Sequence, residues 1–289
     1  MTLAGTAPQD GPLAMICGGG TLPLAVADSV AARGRKVLLF PLRGFAEPRD
    51  FAGRDPHWVH LGQFGTVARV ARAKGCRDIV VLGSVVRPSV WQLRPDFFTL
   101  KVLPQVVKAF RGGDNHLLSS VGRIIEQHGF RMRGAHEVAP EILVPEGVLG
   151  RTQPTARARA DIDVGLGYLR AAGPFDVGQA VVVADRHVLA VEAAEGTDAM
   201  LDRVAQLRAA GRIRSGLGNG VVVKAPKPAQ DRRFDLPSIG PKTIEGAARA
   251  GLGGVAVAAG ETIIAEAEAV VAAADRANIF VVGVPGPAR

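Results

Sequence analysis

Apolar runs that skip the usual polar alternation recur along this chain. They include LAMIC at 13–17, VLLFP at 37–41, IVVL at 79–82, AVVVA at 180–184, VVV at 221–223 and VAVA at 255–258. A strand with one wet face alternates apolar and polar residues, whereas a strand apolar at every position must be covered on both faces. Coverage of that kind comes from helices packed on a mostly parallel sheet, so the chain is expected to be α/β.

The first such unit is LAMICGGGTLPLAVADSVAARGRKVLLFPL, which reads as strand, glycine turn, helix closed by Gly34, and second strand. HWVHLG is expected as a further strand, FGTVARVARAKG as a helix with apolar positions at helical spacing, and RDIVVLGSV as another buried strand. DNHLLSSVGRIIEQHG follows as a helix with Asp114 at the N-cap position and Gly129 just past the end, then FRMRGA as a short strand. Residues 1–145 are therefore expected to form a doubly wound, mostly parallel sheet domain.

PEILVPEGVLGRTQPTARAR is proline-marked and reads as irregular, which places the domain boundary there. Residues 146–289 are expected as a second, mixed α/β domain, with the substrate cleft between the two. Its pattern is a helix around IDVGLGYLRAAG, two strands around the turn residues Asp185 and Arg186, helix TDAMLDRVAQLRAAG and strand GVVVKA. Helix KTIEGAARAG and strands near GVAVAAG and NIFVVG complete it, and no repeat of fixed period is present.

Charge and cysteine content narrow the function classes. The chain of 289 residues carries a net charge of +8, with +6 in the first 150 residues and +2 in the remainder. Nucleic acid, anionic lipid and phosphorylated small molecules all attract such a surface. No Lys/Arg run exceeds two residues, there is one Tyr, and no aromatics alternate with the basic positions, so a nucleic-acid partner is not expected. Two cysteines are too few for a disulfide framework or a four-cysteine zinc site, and point to a cytoplasmic protein. The opening residues lack a basic stretch followed by an apolar one, and no run of ~18 apolar residues is free of charge, so neither export nor a membrane span is expected.

Four segments carry groups suited to chemistry. CGGGTLP is either a phosphate cradle at a helix N-terminus or a tight strand-to-helix turn, and Pro23 occupies the position where the dinucleotide fingerprint has its third glycine. LGSVVRPS sets Gly83, Ser84 and Arg87 just past a buried strand, where ligands gather in open α/β sheets, although a solvated loop would look the same. VEAAEGTDAM presents Glu192, Glu195, Thr197 and Asp198 where a strand gives way to a helix; the acids complement the helix dipole and leave room for Mg²⁺. KAPKPAQDRRFDLP stiffens a bend with prolines and offers Lys224, Lys227, Arg232, Arg233, Gln230, Asp231 and Asp235, a set suited to a pyrophosphate with a metal or to a solvated turn of paired charges.

Taken in order, ICGGGTLP, GGDNHLL, GFRMRGAHEVAPEILVPEGVLG, DIDVG, FDVGQAVVVADRHVLAVEAAEGTDAM and KAPKPAQDRRFDLPSIGPKT resemble the UDP-2,3-diacylglucosamine pyrophosphatases of the type lacking a metallophosphoesterase fold. The resemblance runs from about residue 13 to 283, and the DxH and GNHD segments of the metallophosphoesterase type are absent. It implies a magnesium-dependent hydrolase of lipid A biosynthesis in a Gram-negative bacterium. Such an enzyme cleaves UDP-2,3-diacylglucosamine to UMP and 2,3-diacylglucosamine 1-phosphate, with water directed at the sugar-side phosphorus.

The resemblance further implies roles for particular residues. Asp231 is the first choice for the catalytic carboxylate, as magnesium ligand or water activator, with Glu195 and Asp198 next for catalysis, metal or substrate contact and Glu195 the second metal ligand. Lys224, Lys227, Gln230 and Thr197 would hold substrate, and Gly19, Gly20, Gln63, Ser84, Arg87 and Asp114 would line the first domain's side of the cleft. The substrate would be a lipid-linked UDP-sugar taken at the cytoplasmic face of the inner membrane by a peripheral protein. Apolar helices of the second domain could pair as a homodimer, although no pattern specifies one. Two other functions stay open on the residues: a nicotinamide-dependent oxidoreductase, opposed by Pro23, and a non-catalytic nucleotide-binding regulator.

Overall fold

The computed structural model describes residues 11–85, 94–97, 99–100, 114–175, 177–227, 231–234 and 236–286, with backbone only for 114–119. The chain divides into two compact α/β units, Met1–Pro140 and Glu141–Arg289, five residues ahead of the expected boundary.

The first unit holds strand β1 (Leu13–Cys17), helix α1 (Leu22–Ala32), β2 (Val37–Pro41), α2 (Phe64–Ala73), β3 (Asp78–Leu82), α3 (Asp114–Gln127), β4 (Arg131–Arg133) and α4 (Ala135–Val138). The strands pair β2-β1-β3-β4, all parallel. The order reverses between β1 and β3, which is the switch point where crossover loops part and leave a crevice beyond the strand ends. Leu13, Ala14, Met15, Ile79 and Val80 are fully buried, as strands covered on both faces require.

HWVHLG departs from expectation. It makes a single parallel bridge, Leu42 to Val59, instead of a ladder. His57 N–H donates to Leu39 O at 2.8 Å, Val59 N–H to Pro41 O at 3.1 Å and Arg43 N–H to Val59 O at 2.9 Å, but the bond in the middle of this run would need an N–H from Pro41, which has none. The segment therefore lies along β2 without joining the sheet.

At the amino end of the same sheet, Asp78 is fully buried and meets three arginines. Arg35 Nη2 donates to Asp78 Oδ2 at 2.5 Å, Arg131 Nε donates to Oδ1 at 2.7 Å, and Arg133 Nε stands 3.6 Å from Oδ1. A buried carboxylate is tolerable only when so paired. The cluster ties the start of β3 to β4 and to the turn before β2.

The second unit begins with β5 (Gly147–Leu149), α5 (Ala156–Ala172), β6 (Ala180–Ala184), β7 (His187–Val191), α6 (Gly196–Ala209) and β8 (Val221–Lys224). It continues with β9 (Ser238–Ile239), α7 (Pro241–Arg249), β10 (Gly254–Ala258), β11 (Ile263–Ile264), α8 (Ala267–Ala277) and β12 (Phe280–Val284). Six strands pair β5-β12-β10-β8-β6-β7, with β8, β10 and β12 parallel and β5 and β6 antiparallel to their neighbours; β9 and β11 form a separate parallel pair.

Strand parity splits the core of this sheet. Val182, Val222, Val255, Val257 and Val281 pack with Met200, Leu201, Ile244 and Val270 of α6, α7 and α8, while Val181, Val183, Val221, Val223 and Val282 pack with Ala158, Ile162 and Leu169 of α5. Helix α5 begins six residues before the expected IDVGLG stretch, because Thr155 Oγ1 accepts the Ala158 N–H at 3.1 Å and caps it. Gly165 lets α5 close on β8, since a Cβ there would lie 2.5 Å from Val223 Cγ2.

The β6–β7 hairpin turns on Asp185 and Arg186, whose φ values of 54° and 62° are the left-handed pair of a two-residue turn. Neither residue is glycine, and the compensation is Asp161 of α5. Its buried carboxylate accepts the Arg186 N–H at 2.6 Å and the Asp185 N–H at 3.3 Å. Asp161→Ala removes both acceptors, and urea unfolding should show a loss of about 1–3 kcal/mol.

Both cysteines are buried and free. Burial pushes the Cys17 thiol up to about 12 and raises Cys76 as well. At pH 8 only on the order of one Cys17 in 10⁴ is thiolate, the reactive form. Native protein should thus resist a thiol reagent that labels both cysteines once urea unfolds the chain.

Candidate active site

In the first unit, the carboxyl ends of β1 and β3 are stitched together by backbone. Gly19 N–H donates to Ser84 O and Ser84 N–H to Gly19 O, both at 2.9 Å, and Gly18 N–H donates to Leu82 O at 2.7 Å. No side chain fits in this seam: a Cβ on Gly83, at φ +93°, would lie 2.7 Å from Gly19 O and 2.9 Å from Pro23 Cγ. The amides of Gly18 and Gly19 are thus spent on the seam, so the glycine run is first a close-packing device, and Pro23 completes it. Gly20, at φ +92°, is exposed at the entry to α1.

Gln63 stands at the N-terminus of α2, beyond the carboxyl end of β2, where its Oε1 accepts the His60 N–H at 2.8 Å. Gly19, Gly20, Gln63 and Ser84 therefore all lie at the carboxyl-end side of this unit's sheet. Asp114 is the first residue of α3. Arg87, Gln230, Asp235 and the side chain of Asp114 lie outside the described residues.

In the second unit the geometry is tighter. Lys224 ends β8, a strand of three buried valines, and is itself 6% exposed. An ammonium in that position needs polar partners. Lys224 Nζ donates to Thr197 Oγ1 at 3.0 Å and to Ser238 O at 2.9 Å. Thr197 in turn donates its hydroxyl to Glu192 Oε1 at 2.7 Å, and Glu192 Oε2 accepts the Gln179 N–H at 2.8 Å. The relay gathers the ends of β7, β8 and β9, the first turn of α6 and the residue before β6.

Beyond Lys224 the chain reaches half-buried Lys227 and then the turn at 231–234. Both carboxylate oxygens of Asp231 are held by Arg233: Nε to Oδ1 at 3.0 Å and Nη2 to Oδ2 at 2.8 Å, with the Arg233 N–H also on Oδ1 at 3.1 Å. Arg232 pairs with Glu261, in the loop after β10, at 2.6 Å. Lys227, Arg232 and Arg233 thus accompany Asp231 past Lys224 at the end of β8.

The acids of EGTDAM separate into different surroundings. Glu195 precedes α6 and turns to Arg203, 2.7 Å away, with the Ala193 N–H on its other oxygen at 3.2 Å. A bond from its own backbone amide, followed by the Arg203 guanidinium, holds its carboxyl below the usual carboxylate range. Asp198 is exposed, and its side chain makes no hydrogen bond or ion pair among the described residues. The structure brings Thr197 and Lys224 together and leaves Glu195 and Asp198 outside that relay.

Glu192 is the carboxylate that the choice of Glu195 and Asp198 passed over. The signal was its place next to strand β7, one residue beyond Val191, whereas Glu195 and Asp198 sit at the start of a helix. Gln179 and Glu261 carry no sequence signal of this kind: Gln179 contributes a backbone amide, which any residue could, and Glu261 meets Arg232 only through the folding of separate segments. Among the described residues no three His, Cys, Asp or Glu side chains gather into a metal cage.

Comparison with known proteins agrees with this two-part arrangement. The family model for the LpxI N-terminal domain matches residues 12–142, and that for the LpxI C-terminal domain matches residues 145–282. A protein of Caulobacter vibrioides named UDP-2,3-diacylglucosamine pyrophosphatase LpxI is similar to this chain, at 46% identity over 274 residues that cover 94% of this chain and 97% of the relative. With both of its halves matched in order and nearly half of its residues shared across almost its whole length, the chain belongs to the LpxI family.

Proposed function

We propose that the protein hydrolyses the pyrophosphate bond of UDP-2,3-diacylglucosamine to UMP and 2,3-diacylglucosamine 1-phosphate, a step of lipid A biosynthesis. The observation that carries this is the 46% identity, over 94% of the chain, with a relative bearing that activity in its name. The cations and the carboxylate beyond β8 support it, since a diphosphate needs charge neutralisation and its hydrolysis needs a positioned water.

In this reading a water oxygen bonds to the sugar-side phosphorus as the bond to the bridging oxygen breaks. The bridging oxygen departs with UMP, and the carboxylate of Asp231 accepts the proton from the water. Lys224, aimed by Thr197 and Ser238, and Lys227 hold phosphate oxygens. Arg233, paired with Asp231 through Nε and Nη2, also offers its guanidinium to the oxygens of the diphosphate.

Magnesium fits the donor set by its chemistry. Asp231 offers carboxylate oxygens past β8, and Mg²⁺ takes one or two carboxylates while phosphate and water fill its other positions. Asp231 would hold it, with Glu195 the second candidate, and the ion would supply charge stabilisation on the diphosphate. No helix among the described residues is long and apolar enough to cross a membrane. We place the protein at the cytoplasmic face of the inner membrane, drawing its acylated substrate from that surface.

Asp231→Asn should lower kcat/KM by about 10²–10⁴ with UDP binding and thermal unfolding little changed, by the usual contribution of a positioned base. Excess EDTA should abolish UMP release and added Mg²⁺ restore it; turnover that persists in EDTA would remove the metal from the reaction. Hydrolysis in ¹⁸O-labelled water should put the label in the sugar 1-phosphate. Label in UMP would instead assign attack to the uridine-side phosphorus.

A further inference from the structure

The loop between β2 and α2 and the segment that docks on it carry exposed groups that take no part in the hydrolysis proposed above. Asp96 fixes the segment: its Oδ2 accepts the Thr66 N–H at the start of α2, its Oδ1 accepts the Thr99 N–H, both at 2.9 Å, and its own N–H donates to Gly62 O at 3.1 Å. Arg94 N–H donates to Leu61 O at 3.0 Å. The segment is thus held at both of its main contacts, yet Phe97 remains 76% exposed and Leu100 49%. Three residues apart in a helical stretch, they face the same way.

Two exposed arginines belong to the same loop and segment: Arg94 precedes Phe97 by three residues, and Arg43 lies in the loop on which the segment docks. Arg43 lies 5.6 Å over the ring of half-buried Trp58, which itself rests edge-on against buried Phe51. Arg43 N–H donates to Val59 O at 2.9 Å and Arg94 N–H to Leu61 O at 3.0 Å, so the two arginines attach to the loop one residue to either side of His60. Among the described residues neither arginine forms an ion pair, and the nearby carboxylate of Asp96 has both oxygens committed to amides.

We propose that this face, made by Arg43, Trp58, Arg94, Phe97 and Leu100, is where the protein rests on an anionic lipid bilayer. Indole and phenyl rings sit at the level of the headgroups, and adjacent arginines pair with anionic phosphates there. A soluble anion would satisfy the arginines and leave Phe97 and Leu100 in water. A second copy across a two-fold axis would set arginine against arginine. The inference deepens the lipid-substrate reading above, on which it rests, by naming the surface that meets the membrane.

The test is sedimentation of the full chain with vesicles of phosphatidylcholine alone and of phosphatidylcholine with phosphatidylglycerol. The protein should bind the anionic vesicles, less so at high salt, and Arg43→Ser with Arg94→Ser should weaken binding by at least about tenfold, at the usual contribution of each cation near an anionic surface. Phe97→Ser with Leu100→Ser should weaken it comparably by removing the inserted groups. Hydrolysis of detergent-dispersed substrate should survive in both variants and reports that they fold.

Equal binding to neutral and anionic vesicles, or unchanged binding by both variants, overturns the proposal, and the vesicle comparison on the parent chain stands even where a variant fails to fold. If the variants dissociate a dimer in the absence of vesicles and bind lipid as before, the face belongs to a second copy and the proposal also fails. Absent hydrolysis in the parent chain would count against the function, whereas intact hydrolysis without vesicle binding counts against this surface alone.

Discussion

A lysine at the end of a strand of buried valines can remain charged only if the fold around it supplies oxygen. Lys224 of β8 receives it from a threonine at the start of α6 and a carbonyl of β9, while a glutamate beyond β7 stands behind the threonine. Everything at this end of the second unit's sheet follows from that need. The hairpin must bring Glu192 back beside Gln179, and α6 must begin where it does to offer Thr197.

The buried charge in the first unit is of opposite sign and at the opposite end of its strands. Asp78 opens β3 and is surrounded by arginines from separate segments, two of them on β4. It leaves the carboxyl ends of β1 and β3 to the glycine seam, where backbone meets backbone. The buried ion cluster and the loops beyond the strands' carboxyl ends thus occupy opposite edges of the sheet.

The strand and helix pattern was legible because burial on both faces leaves a signature in every residue of a strand. The runs VVV at 221–223 and IVVL at 79–82 carry it without ambiguity. HWVHLG was misleading because Pro41, sixteen residues earlier, withholds the amide that its ladder needs, a relation that no local window contains. The early start of α5 was missed because apolar periodicity begins at Ile162 while the Thr155 cap sits about two turns before it. At the site, Lys224 and Thr197 were readable as strand-end and helix-start residues. That Glu192 joins them and Glu195 turns to Arg203 depends on the direction in which each side chain leaves its element.

The single missing amide of Pro41 matters beyond the segment it excludes. A sheet edge lined with free N–H and C=O groups invites a strand from another molecule, and parallel sheets of apolar strands are the most exposed to that hazard. Here residues 57–59 overlie the outer side of β2 and take up its Leu39 and Pro41 carbonyls and the Arg43 amide, while Pro41 itself offers no donor to an incoming chain. Cover and proline together thereby blunt the flank of an otherwise Val- and Leu-rich sheet.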